Sequence, residues 1–159
     1  MFRKPFHVKS NTTVKSSHRK QLRDRLIASG FLPPENTGNE KYDSILGWWN
    51  TKCELTSSKI ECENGQQLVL YNRDKVPMLI EFKHTGAVMP SLFFAWEVPD
   101  TVRVLYVHEP TLQFIANGAD LMLPGVIEAL LPDDINAKQL VGVSMISNDG
   151  TEIIGPVAI

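Results

Sequence analysis

The apolar positions follow a helical period between Ser16 and Ser29 and alternate in segments from Lys52 onward. Residues 1–13 are polar and basic, and Pro5 blocks a continuous helix there. Ser16 or Ser17 can cap a helix that runs to Ser29 and stops at Gly30, with Leu22 and Leu26 four apart on its inner face. Residues 32–46 are poor in apolar side chains and read as a surface loop. A meander of strands follows. Lys52–Thr56 puts Cys53 and Leu55 on one side, and Lys59–Glu63 puts Ile60 and Cys62 inward. Asn64-Gly65 is a hairpin turn, because both residues tolerate positive φ. Gln67–Tyr71 and Pro77–Phe82 supply two more strands, and Pro90–Trp96 a short helix on the sheet.

Val98-Pro99-Asp100 marks the boundary, giving domains 1–98 and 99–159. Beyond it Val102–Val107 reads as a strand. Pro110 opens a short helix that carries Leu112 and Ile115 and ends at Asn117-Gly118. Leu140–Ile146 and Glu152–Ile159 flank the turn Asn148-Asp149-Gly150. The last run breaks off in mid-pattern, so a longer parent polypeptide is expected. No internal repeat is evident.

Composition narrows the class. The chain has 159 residues, 43% of them hydrophobic, which suits one soluble domain or two small ones and not a disordered chain. No apolar run approaches the roughly 20 residues needed to cross a bilayer, and no apolar stretch follows Met1-Phe2-Arg3-Lys4-Pro5 as a secretory signal would require. Two cysteines cannot make a disulfide scaffold. A cytoplasmic protein with no membrane partner is expected.

Charge sharpens the picture. Residues 1–25 carry eight cations (Arg3, Lys4, Lys9, Lys15, Arg19, Lys20, Arg23 and Arg25) against Asp24, a net charge of +7. The other 134 residues hold eight cations and 17 anions, and after Val104 only Lys138 offsets seven carboxylates. Such separation points to a polyanionic partner for one end. Arg19, Lys20 and Arg23, three and four apart, are expected to form one cationic cluster. Such a segment gains by displacing counterions from a phosphate backbone, or it is simply a solvated helix face with a tail.

Chemistry of other kinds finds little support. The four histidines are scattered, and Cys53 and Cys62 lack zinc-pair spacing and read as reduced core thiols. Neither a nucleophile elbow nor a glycine-rich phosphate loop appears, and Asp133-Asp134 reads as a solvated pair beside a proline. No catalytic residue, metal or cofactor is expected. The segment Gly118–Gly125, GADLMLPG, is the second signal: a helix end, a strand-like Leu-Met-Leu, then a sharp Pro124-Gly125 turn. Backbone amides freed at such a junction can hold phosphate or ribose oxygens, although a purely structural turn has the same form.

These segments resemble a known family. MFRKPFHVKSNTTVKSSHRKQLRDR at the start, Met89 to Pro99 in the middle, and GADLMLPGV from Gly118 to Val126 are similar to the ligatin, or eukaryotic translation initiation factor 2D, family. The same two-part module occurs in the malignant T-cell-amplified protein. The resemblance implies an α+β fold: an N-terminal pre-PUA α/β domain with an antiparallel sheet packed on helices, then a PUA-type β-barrel lacking its final strand. It implies a non-enzymatic module on the rRNA of the small ribosomal subunit, assisting delivery or release of initiator or deacylated tRNA at the P site alongside further C-terminal domains. Lys9, Lys15, Arg19, Lys20 and Arg23 fall in the matching basic segment. Gly118, Ala119, Asp120, Leu121, Met122, Pro124 and Gly125 match the PUA motif. The alternative is a protein-interaction module using the acidic PUA face or the open barrel edge, without direct RNA binding.

Overall fold

In a computed structural model, residues 5–32, 53–98, 101–133, 135, 139–147 and 153–158 are described. The loop expected at 32–46 and the turn at 148–150 lie outside them, Leu32 excepted. The chain divides into two compact units, Met1–Phe94 and Ala95–Ile159.

The first unit is a five-stranded antiparallel meander in the order β1 (Phe6–Thr13), β2 (Leu55–Cys62), β3 (Gln67–Arg73), β4 (Val76–Phe82) and β5 (Val88–Pro90). Helix α1 (Ser16–Ala28) lies between β1 and β2 in sequence and buries Leu22 and Leu26 completely. It starts one residue after Lys15, which occupies the extended N-cap position with no side-chain cap, so neither Ser16 nor Ser17 caps it. The stop at Gly30 is as read: its φ is +75°, which glycine adopts without strain.

Two sequence expectations change here. Residues 6–13, given no regular structure above, form an edge strand that pairs with β2; it is exposed along most of its length and so carries no alternation to betray it. The segments 52–56 and 59–63 are not separate strands. Ser57 and Ser58 continue β2 in register opposite Tyr71 and Leu70. Their hydroxyls find partners on the sheet, Ser57 with Thr12 at 3.0 Å and Ser58 with the Asn72 amide at 2.9 Å, so the polar pair does not interrupt the ladder.

The Asn64-Gly65 hairpin forms as expected, with φ of +79° at Gly65 and the Asn64 side chain accepting from the Gln66 amide. Pro90 belongs to β5, and helix α2 (Leu92–Glu97) follows. Ser91 caps it, its hydroxyl donating to the Pro77 carbonyl at 2.6 Å and accepting from the Phe94 amide at 3.2 Å.

In the second unit β6 (Arg103–His108) runs parallel to β7 (Val141–Ile146), which pairs antiparallel with β8 (Ile153–Ala158). A parallel pair needs a long crossover. Helix α3 (Glu109–Ala116), with Pro110 in its first turn, begins that crossover, and the Gly118–Gly125 segment continues it. Val126 then bridges back to Val107, and the Ile127 amide donates to the Tyr106 carbonyl at 2.8 Å. Among the described residues the sheet is not closed into a barrel. The strand-like reading of Leu121–Leu123 does not hold: Leu123–Gly125 is a single 3₁₀ turn, because Pro124 and Gly125 tighten the chain there.

Candidate nucleic-acid interface

The five cations singled out in the N-terminal segment divide into two kinds. Lys15 and Lys20 are exposed. Lys9 sits where the β1–β2 register shifts; its ammonium pairs with the Glu61 carboxylate, and half of its side chain remains open to solvent. That hydrogen bond, with the charge behind it, holds the Glu61 carboxyl below the ordinary carboxylate range. Arg19 is different. Its Nε donates to the Val14 carbonyl at 3.1 Å and its Nη1 to the Cys53 carbonyl at 3.0 Å, pinning the start of α1 to the entry of β2. Arg23 is largely folded down, with Nη2 3.4 Å from Asp24 Oδ1. The cluster expected of Arg19, Lys20 and Arg23 is therefore not a uniform exposed face; Lys20 alone of the three projects freely.

A further set of cations came from register rather than from sequence density. β2, β3 and β4 carry Lys59, Val69 and Glu81 on one row, and the next residue pair on that face brings Lys83 beside it. Lys59 and Lys83 line the same recesses as Lys9 and Lys15. The sequence signal that could have found Lys59 is its place opposite Ile60 in the alternation; Lys83 follows β4 and carries no such mark.

In the GADLMLPG segment, Gly118 takes φ +89° as the helix end requires. Its amide donates to the Ile115 carbonyl and the Ala119 amide to the Phe114 carbonyl. The Gly125 amide donates to the Met122 carbonyl at 2.8 Å. Three of the amides expected to be free are thus engaged internally. Among the described residues, those of Asp120, Leu121 and Met122 donate to no protein acceptor. Pro124 has no amide hydrogen. Met122 and Leu123 stand out from the surface at 70% and 74% exposure, and Phe114 on α3 at 67%. Among the described residues no group of His, Cys, Asp and Glu could hold a metal ion, and no helix is long and apolar enough to cross a membrane.

Residues 2–99 match the family model described as Pre-PUA-like domain, and residues 102–159 the one described as "elF2D, PUA domain". The chain belongs to the Pre-PUA-like domain family. Mouse and human eukaryotic translation initiation factor 2D are 31% and 30% identical to it over 160 residues, which is 99% of this chain and 26% of each relative. The chain thus spans about a quarter of the length of those relatives. Translation machinery-associated protein 20 of Schizosaccharomyces pombe is 28% identical over 93% of this chain and 76% of its own. Among solved structures, a hypothetical protein of Pyrococcus horikoshii OT3 superposes with a TM-score of 0.55 over 91% of this chain and 78% of its own, at 18% identity. A conserved PUA domain protein of Thermoplasma acidophilum gives 0.53 over 89% and 74%, also at 18%. The likeness of this Pre-PUA-like chain to the initiation factor 2D family, read first from three segments, holds along its whole length, and its α+β Pre-PUA and PUA parts carry that family's fold.

Proposed function

We propose that this chain is a non-enzymatic RNA-binding module of a translation factor of the initiation factor 2D type, acting in the cytoplasm on the rRNA of the small ribosomal subunit. Domain 1–98 supplies the backbone contacts and domain 99–159 a local one. Lys9, Lys15 and Lys20 meet phosphates directly; Arg19 and Arg23 add positive field while fixing the fold beneath them. The loop Gly118–Gly125 offers the amides of Asp120, Leu121 and Met122 to initiator or deacylated tRNA at the P site, and the further domains of a longer parent complete the task. The observation that carries this reading is the set of exposed lysines on a chain whose relatives are translation factors.

Filter binding of the chain to small ribosomal subunits over a salt series tests it. Each phosphate contact contributes about 0.7–0.9 to the log–log slope, so a negative slope of about two to three is expected, reduced on changing Lys9, Lys15 and Lys20 to Gln. A flat slope overturns the reading.

A second reading is favoured by the exposed Phe114, Met122 and Leu123 and by the acidic balance after Val104: the second unit docks a protein, with no direct RNA contact. Complexes that survive nuclease and high salt would decide for it.

A further inference from the structure

We propose that the first unit carries a groove for the backbone of single-stranded RNA, running across the sheet from the start of α1 to the β2–β3 hairpin. This rests on the RNA-binding reading above and adds to it residues far from the N-terminal segment, Lys59 and Lys83.

Three recesses join through shared side chains. The first, of 290 Å³, lies at the start of α1 between Lys15, His18, Lys59 and Lys83. The second, of 130 Å³, shares Lys59, Val69 and Lys83 with the first and adds Lys9 and Gln67. The third, of 560 Å³, shares Gln67 and Lys83 with the second and reaches Asn64, Gly65 and His84. From Tyr71 along β3 to Gly65 this path covers roughly 20 Å at about 3.3 Å per residue. Its two end recesses are open to solvent, as a strand of nucleic acid entering and leaving requires.

The charge fits a polyanion. Lys15 and Lys59 face the groove with no carboxylate partner among the described residues. Lys83 lies 3.5 Å from Glu81, but Arg25 at 3.6 Å already balances that carboxylate. Lys9 is matched by Glu61. Positive charge is therefore in excess where the recesses meet. Thr13 and Ser17 also line the first recess, and their hydroxyls can donate to phosphate oxygens. The phenol ring in it, Tyr71, is 2% exposed and engaged with Glu81 and His18, so it offers no face for base stacking. Contact is then to phosphates, without a choice of base.

The test uses the whole 159-residue chain and fluorescence anisotropy with labelled oligouridylate and oligoadenylate of about ten nucleotides, a span within the range that single-strand grooves cover. The wild type is expected to bind both alike. The double variant Lys59→Gln/Lys83→Gln, with an unchanged circular dichroism spectrum, is expected to bind about tenfold or more weakly, its salt slope lower by about 1.4, which is two single-strand contacts at about 0.7 each. Lys75→Gln, a lysine outside the groove, leaves both unchanged. Equal affinity and slope in wild type and double variant overturn the groove, as does displacement of the RNA by polyglutamate as readily as by unlabelled oligouridylate. Oligonucleotides and small subunits both bound normally by the double variant overturn the groove and leave the ribosomal reading standing. Oligonucleotide binding lost in the double variant, on a chain that ignores small subunits, supports the groove and removes that reading.

Discussion

The hydroxyl of Tyr71 on β3 donates to Glu81 Oε2 on β4 at 2.5 Å, and both residues are buried. Because that single proton goes to the carboxylate, the phenol oxygen accepts from His18 Nε2 at 3.0 Å, so Nε2 is the ring nitrogen that donates here. The same carboxylate faces Arg25 and Lys83, so one polar cluster ties α1 to the middle of the sheet.

Stability in acid is expected to depend on this cluster. Burial alone raises the Glu81 pKa, but the Tyr71 hydrogen bond and the charges of Lys83 and Arg25 outweigh it and hold the carboxyl below its ordinary value of 4.5. Burial, then Glu81 itself, push the Tyr71 phenol well above the usual range. A carboxylate depressed in the folded state adds stability that is complete above pH 4.5 and lost as pH falls through the folded value. Tyr71→Phe leaves the carboxylate short of a donor and should cost about 1–3 kcal/mol at neutral pH. Urea titrations from pH 3 to pH 7 should show Glu81→Gln with a shallower acid limb than wild type; parallel limbs would remove the cluster from the account.

The β3–β4 turn predicts a gain. Asp74 and Lys75 both have positive φ, 48° and 72°, the pattern of a type I′ turn. Lysine in that region costs about 1 kcal/mol that glycine avoids. Lys75→Gly is expected to raise the midpoint of thermal unfolding by about 2–4 °C for a chain of this size. An unchanged or lower midpoint would show that the turn carries no such strain.

Arg19 and Lys20 are adjacent in sequence and opposite in consequence. Arg19→Gln removes two charge-assisted bonds to the Val14 and Cys53 carbonyls and should cost about 1–3 kcal/mol. Lys20→Gln should fall within about 0.5 kcal/mol of wild type, as exposed substitutions do, while lowering the salt slope of RNA binding by about 0.7–0.9. Chemical denaturation and filter binding on the two variants separate the roles. A Lys20 variant with an unaltered slope would detach that residue from the interface.

The same contrast shows what the sequence could and could not disclose. The hairpin at Asn64-Gly65, the helix with Leu22 and Leu26, and the helix opened by Pro110 were legible because turn chemistry and periodicity are local. β1 was not, since an exposed edge strand buries too little to impose alternation. Ser57 and Ser58 hid the continuity of β2, because the partners that satisfy them, Thr12 and Asn72, are distant in sequence. At the candidate interface, density of charge pointed to Lys9, Lys15 and Lys20 but could not distinguish them from Arg19, whose carbonyl partners at Val14 and Cys53 the fold supplies, or from Arg23, whose side chain is folded down. Lys59 and Lys83 join them through strand register, which no local pattern states.

Gly125 separates packing from recognition in the PUA part. A Cβ at this position would lie 2.8 Å from Thr111 Cγ2 on α3 and 3.4 Å from its Oγ1, so the Pro124-Gly125 turn sits against the helix too closely for any other residue. Thr111 presents this methyl from the first turn of α3. Gly125→Ala is therefore expected to cost about 1–3 kcal/mol through overpacking. Thr111→Ser removes the offending methyl, and the double variant should recover most of that loss, giving a coupling energy well outside the error of additive sites. Thermal unfolding of the two single variants and the pair reads the cycle. Additive losses would mean that the turn relaxes away from α3, and the glycine would then owe its place to something other than contact with Thr111.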